Sequence, residues 1–201
     1  MLDMKSVTRL IFSARYINNN VFRRPVITSN SYYPWQSYKL FVGSVALSSK
    51  KYYNTSLIYS YGRTEDIPYG YMIQVDGGFE FNEFKRRSYV GFESSYGTHF
   101  DRFGYIYVAA GVSTFYNDSQ TEQGLFQAKI RYFTPLYQIG SYKMRSFFNL
   151  YFIHGFNRNT DEYLYFNSSS LVRGFINDSI RGDKRLVISF EPVIFSPSIH
   201  Y

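Results

Sequence analysis

The residues that could carry chemistry are few, and their spacing is wrong for most of it. The 201-residue chain has no cysteine, which removes thiol nucleophiles, disulfide scaffolds, zinc ribbons and iron–sulfur clusters together. His99, His154 and His200 stand far apart, without the short spacings that metal ligation uses. Glu65-Asp66 and Asp161-Glu162 are adjacent acids, and extended backbone sends neighbours to opposite faces. Neither pair makes the two facing carboxylates of a glycosidase. No G-x-S-x-G elbow, phosphate loop or dinucleotide fingerprint occurs, so neither enzymatic activity nor a cofactor is expected. What remains is cation–carboxylate recognition. Val172-Arg173-Gly174-Phe175 lies in a polar segment, followed by Arg181-Gly182-Asp183-Lys184-Arg185 and then by Glu191. Gly174 allows a tight bend, and the planar fork of Arg173 suits bidentate bonding to a carboxylate.

The elements that must position those groups are strands. Alternation with period two recurs along the chain, and helical periodicity is nearly absent. Tyr71, Ile73, Val75, Gly77, Phe79 and Phe81 share one face, and Met72, Gln74, Asp76, Gly78 and Glu80 share the other. Residues 124–133 repeat the pattern, with Phe126, Ala128, Ile130 and Tyr132 opposing Gln127, Lys129 and Arg131. Leu186, Ile188 and Phe190 likewise oppose Arg185, Val187, Ser189 and Glu191. Turn residues divide the chain into nine predicted strands near 5–16, 37–48, 52–62, 70–81, 87–98, 103–116, 122–133, 142–155 and 184–195. Polar connections lie at 17–36 and, as a long inserted loop, at 156–183. One domain, 1–201, with no internal boundary is expected.

Length and composition narrow the class further. Strands of this length exceed the usual ~5–6 residues of soluble sheets and suit a tilted crossing of a bilayer, which takes ~9–11. The chain carries 22 Tyr, 20 Phe and one Trp, the amphipathic rings that gather at membrane interfaces. Its net charge of +7 is spread in ones and twos, unlike a nucleic-acid-binding arm. The longest uncharged central stretch, 103–117, is shorter than the ~20 residues of a membrane-spanning helix. Residues 1–6 do not read as a secretory leader. Long strands with one apolar face, one charged face and aromatic ends together predict an all-β, antiparallel, up-and-down transmembrane barrel with lipid outside and water inside. Arg173 would then fold into the lumen and bond a lumen carboxylate, with Glu191 and Arg185 sharing the wet face of the last strand. Arg181-Gly182-Asp183 is read as a chance or structural occurrence rather than an adhesion tripeptide, and the sequons at Asn54, Asn117, Asn167 and Asn177 are what an Asn- and Ser-rich chain produces by composition.

This arrangement resembles the outer-membrane protein assembly and translocation superfamily, the BamA/TamA-like bacterial surface antigens of Bacteroidetes type. Members carry V-R-G-F or V-R-G-Y in a long loop tucked into the barrel, here Val172-Arg173-Gly174-Phe175. A glycine and then an acid-bearing strand follow, here Gly182 and Glu191 with Asp183 and Arg185 between. Tyr132-Phe133-Thr134-Pro135-Leu136, Arg145-Ser146-Phe147-Phe148 up to Gly155, and Arg63-Thr64-Glu65-Asp66-Ile67-Pro68 are similar to the family's flanking segments. The resemblance implies a sixteen-stranded barrel of which this chain supplies about nine, a fragment, and the odd count agrees because single-chain bacterial barrels use even numbers. It implies a non-enzymatic protein of the bacterial cell outer membrane that assists insertion or export of other proteins. The implied partners are the outer-membrane lipid bilayer, lipopolysaccharide and unfolded or partly folded clients, with no nucleic acid. Two other readings are the membrane-anchoring barrel of a patatin-like phospholipase, and a soluble β-barrel that binds carbohydrate or nucleic acid through its rings.

Overall fold

Alternating sequences of this kind can satisfy their backbone only in ladders, and the chain forms little else. The computed structural model describes residues 7–29, 33–58, 63–159, 162–165 and 180–196. Their strands are β1 (Val7–Asn19), β2 (Tyr38–Ser56), β3 (Thr64–Asn82), β4 (Arg86–Phe100), β5 (Gly104–Asn117), β6 (Gln120–Phe133), β7 (Tyr137–Ile139), β8 (Tyr142–Phe156), β9 (Leu164–Tyr165), β10 (Arg181–Gly182) and β11 (Lys184–Phe195). A 3₁₀ turn covers Tyr33–Trp35. One large antiparallel sheet runs in the order β1-β2-β3-β4-β5-β6-β8-β11, with β7 paired to β8, while β9 and β10 form a ladder of their own. Among the described residues β1 and β11 are the edges of this meander.

The predicted all-β meander is present, with one correction. Residues 37–48 and 52–62 were expected as two strands, with Ser49-Lys50-Lys51 as the break; among the described residues Tyr38–Ser56 run through that break as the single strand β2. The cause is its partner. β3 starts at Thr64, well before the predicted residue 70, so Lys50 pairs with Gly70 and Lys51 with Tyr69 without interruption. Cross-strand ladder bonds outweigh the poor strand propensity of a polar run. Among the described residues the large sheet therefore has eight long strands and the short β7, so its long strands alone give an even count.

The two faces differ in chemistry. A rung of paired residues runs Tyr71, Tyr96, Val108, Ile130, Leu150 and Ile188 on one face. On the other face Gln74 opposes Glu93 and Glu80 opposes Arg87, while Arg131 opposes Asn149, and Asn149 in turn opposes Ser189. The polar face is the concave one, because contacts between strands that are not neighbours lie on it. Arg145 on β8 reaches Ser56 at the end of β2, with β3 to β6 between them.

That reach depends on a bend. Along β3 the inward residues are Glu65, Ile67 and Tyr69, but beyond Gly70 they are Met72, Gln74, Asp76, Gly78 and Glu80. Gly70 has φ +129°, a conformation other residues rarely adopt, and a Cβ there would lie 2.1 Å from the Ser49 carbonyl oxygen. The change of phase turns the β2–β3 tip over the concave face. Tyr53 stacks on His99 with ring centroids 4.1 Å apart, and the Tyr105 hydroxyl donates to the Pro68 carbonyl at 2.8 Å. Ile67, Tyr105 and Phe133 form the buried core, flanked by Tyr53, Tyr69 and Phe147.

Candidate functional site

The best-connected polar cluster sits at the opposite end of the concave face, where the connections after β1, β3, β5 and β8 gather. Glu80 and Arg87 face each other across the β3–β4 hairpin, and both side chains are 0% exposed. The Arg87 guanidinium donates from Nε and Nη2 to Glu80 Oε1 at 3.0 and 2.7 Å. From Nη1 it donates to Glu122 Oε2 at 2.9 Å and Gln123 Oε1 at 2.6 Å. Its plane lies over the Phe115 ring at 4.1 Å and the Tyr33 ring at 5.4 Å. Rings supply the faces and acids the edge, which is how a buried guanidinium is satisfied.

A β-bulge brings Glu122 and Gln123 to Arg87 together. Register between β5 and β6 slips between Ser113 and Phe115, with Gln123 at φ +50°. A regular strand would send two consecutive side chains to opposite faces. The bulge aims both inward, a common use of such irregularities. Beyond it a two-residue turn closes the hairpin, with Asp118 and Ser119 both at positive φ, matching the twist of the flanking strands.

Three connections are fastened to this cluster. From the β1–β2 connection, the Tyr33 hydroxyl donates to Glu80; burial first, and then that bond, push its phenol well above the ordinary range. Buried Gln36 accepts from Asn82 Nδ2 at 2.7 Å. Arg24 forks onto both oxygens of Glu83 in the β3–β4 turn, and its hydrogen bond holds the Glu83 carboxyl below the usual range. From the β8–β11 connection, Glu162 accepts from Gln123 Nε2 at 2.8 Å and from Arg158 Nη2 at 3.0 Å. Lys85 adds a bond to Glu122 Oε2 at 2.5 Å. Arginine keeps its proton at any working pH, and each carboxylate is matched to a cation or a hydroxyl. The arrangement holds loops against strands rather than moving protons.

Arg145 makes a second anchor at the other end. It donates from Nη1 to the Ser56 carbonyl at 2.8 Å and lies over the Phe133 ring at 5.2 Å. It thereby ties the β2–β3 tip to β8.

Of the residues singled out in the sequence, Val172, Arg173, Gly174 and Phe175 lie outside the described residues. Gly182 pairs with Leu164 in the small ladder, and the Asp183 carbonyl accepts from the Gly155 N–H at 2.8 Å. Arg185 and Glu191 share the concave face of β11, opposite Ile153 and Phe147. Six residues apart, they stand ~20 Å from each other and do not meet. Arg185 donates to the Tyr165 carbonyl at 2.8 Å, binding the long connection to β11. The sequence reading missed Arg87, and named Arg145 only within a flanking segment, without an anchoring role. The available signal was Glu80 on the wet face just before a short turn, with an arginine just after it.

No family model, no curated protein and no solved structure matches the chain.

Proposed function

We propose that this chain is wall of a transmembrane β-barrel in a bacterial outer membrane, with its convex face against lipid and its charged concave face lining a water-filled lumen. The observation that carries the reading is the inverted hydrophobicity of the sheet. Phe12, Phe79 and Phe190 are 70%, 62% and 67% exposed, while Glu80 is fully buried. A monomer in water rarely exposes more than a few hundred Å² of contiguous apolar surface. Between Tyr71 and Phe81 the outward residues of β3 include no charge. At a rise of ~3.3 Å per residue those ten steps span ~33 Å, and a tilt near 40° reduces that to the ~25 Å apolar band of such barrels. A soluble carbohydrate or nucleic-acid binder would need a second layer over this face.

Within that class we read the chain as a member of the assembly and translocation superfamily, whose barrels assist insertion or export of other proteins. Support is the Val172–Phe175 motif, the inward placement of Arg185 and Glu191, and a long connection fastened at the charged mouth. One experiment tests both levels. In a Trp35→Phe background, Val75→Trp is expected to be quenched by vesicles of brominated phosphatidylcholine and Gln74→Trp is not; equal, unquenched emission from both ends the membrane reading. The same vesicles are expected to accelerate folding of an added unfolded outer-membrane barrel over empty vesicles. Equal rates would remove the assembly reading and leave the membrane one standing.

A further inference from the structure

The outer face of β1, β2 and β3 departs from the rest of the apolar band. One rung pairs Ala14, Gly43 and Gly77, where bulky side chains would be expected of lipid-facing strands. The glycines are not required by the backbone. Neither has a positive φ, and a Cβ would find nothing within 4 Å at Gly77 and only one carbonyl oxygen, at 3.9 Å, at Gly43. What they leave is room. An apolar groove of about 510 Å³ opens on the convex face, walled by Tyr16, Phe41 and Phe79.

Four residues along the same strands, toward the charged mouth, the outward rung pairs Lys39 with Phe81 and Phe81 with Arg86. Two exposed cations thus flank one ring, ~10 Å apart across two strand spacings. Arg86 lies over the Phe81 ring at 5.6 Å. Arg24 is matched to Glu83, Lys85 and Arg87 to Glu122, and Arg158 to Glu162; Arg23, exposed in the β1–β2 connection, has no carboxylate partner among the described residues. Lys39 and Arg86 have no carboxylate partner among the described residues. The pair stands ~13 Å along the strands from the groove floor, at the edge of the apolar band, where long cationic side chains reach for headgroup phosphates.

We infer that this face is a binding site for an anionic lipid, with its phosphate between Lys39 and Arg86 and an acyl chain in the groove over Ala14, Gly43 and Gly77. The inference rests on the membrane reading above. The occupant is a lipid rather than a free anion, because cations alone would serve phosphate and the adjoining groove is apolar.

The test uses the full chain in phosphatidylcholine vesicles carrying a trace of spin-labelled phosphatidylglycerol or spin-labelled phosphatidylcholine, and reads the motionally restricted fraction of each. Wild type is expected to prefer the anionic label. Lys39→Gln with Arg86→Gln is expected to lower that preference by up to about fivefold per cation, the ratio that ~1 kcal/mol per surface cation corresponds to. Lys184→Gln, outward on the distant strand β11, is expected to leave it unchanged. Gly77→Phe keeps both charges but fills the groove, and is expected to reduce restriction of the anionic label, so it reads the site even where the double variant fails to insert. An unchanged preference in both variants overturns the inference, as does an equal loss in Lys184→Gln, which would mean diffuse surface charge. Displacement of the label by millimolar inorganic phosphate would assign the cations to a free anion and overturn the lipid. No restricted label of either kind in wild type would mean that the chain does not sit in the bilayer, and would end the membrane reading together with the site.

Discussion

Arg87 shows how much one residue can organise when its charge cannot be removed. Its guanidinium is shared among Glu80, Glu122 and Gln123 and capped by two rings, so strands β3, β4, β5 and β6 and the Tyr33 turn converge on a single side chain. A buried ion pair adds little net stability over a well-packed apolar substitute, but removal of one partner strands the other in a dry site. Arg87→Met is therefore expected to cost about 3–5 kcal/mol, read as a lower urea midpoint in detergent micelles. Arg87→Lys should recover little of it, because a compact ammonium cannot serve three acceptors in one plane. An unchanged midpoint for Arg87→Met would show that the cluster does not hold the loops.

Among the elements, β3 is where local conformation changes global shape. It is a 19-residue strand whose inward phase changes at Gly70, and the bent tip is what Arg145, Tyr105 and His99 grasp. Two glycines on this one strand make opposite cases. Gly70 is held at positive φ against the Ser49 carbonyl, whereas Gly77 is extended with open space beside it. Gly70→Ala is expected to destabilise by more than about 1 kcal/mol, from a strained backbone and a forced shift of β2. Gly77→Ala is expected to be neutral or to stabilise by up to ~1 kcal/mol, since an unneeded glycine weakens a strand. Thermal melts of the two variants check the contrast, and equal losses would refute the assignment of the bend to Gly70.

Over the whole molecule the sheet is sorted by face rather than by position in the chain. Gln74 and Val75 are neighbours in sequence, yet Gln74 turns inward, donating to Asp76 at 2.8 Å and opposing Glu93, while Val75 turns outward at 56% exposure. Val75→Arg in phosphatidylcholine vesicles is expected to cost ~2–4 kcal/mol, the penalty for a guanidinium near the bilayer midplane. Gln74→Arg places the same cation beside two acids and is expected to cost little. A soluble sheet would reverse the order, tolerating the charge at the exposed position and resisting it at the half-buried one, so the sign of the difference decides between the two environments.

That the chain is strands, roughly where most of them lie, and which side chains share a face were legible in the amino-acid order, because a period of two is a property of each segment alone. Tyr71 to Phe81 could be sorted onto two faces before any partner was known. That order did not determine that Ser49-Lys50-Lys51 stays in strand, because that depends on where β3 begins. Nor did it determine the bend at Gly70, the bulge that turns Glu122 and Gln123 inward together, or the two arginines that tie ends to strands. Arg87 meets Gln123 only once three strands have curled and stacked in register, and Arg145 meets Ser56 only across six, and a contact across so much intervening chain leaves no local period to read. Tertiary structure also decided which face is concave, and with it that Arg87 and Arg145 pack inside against rings while Phe12, Phe79 and Phe190 stand outside.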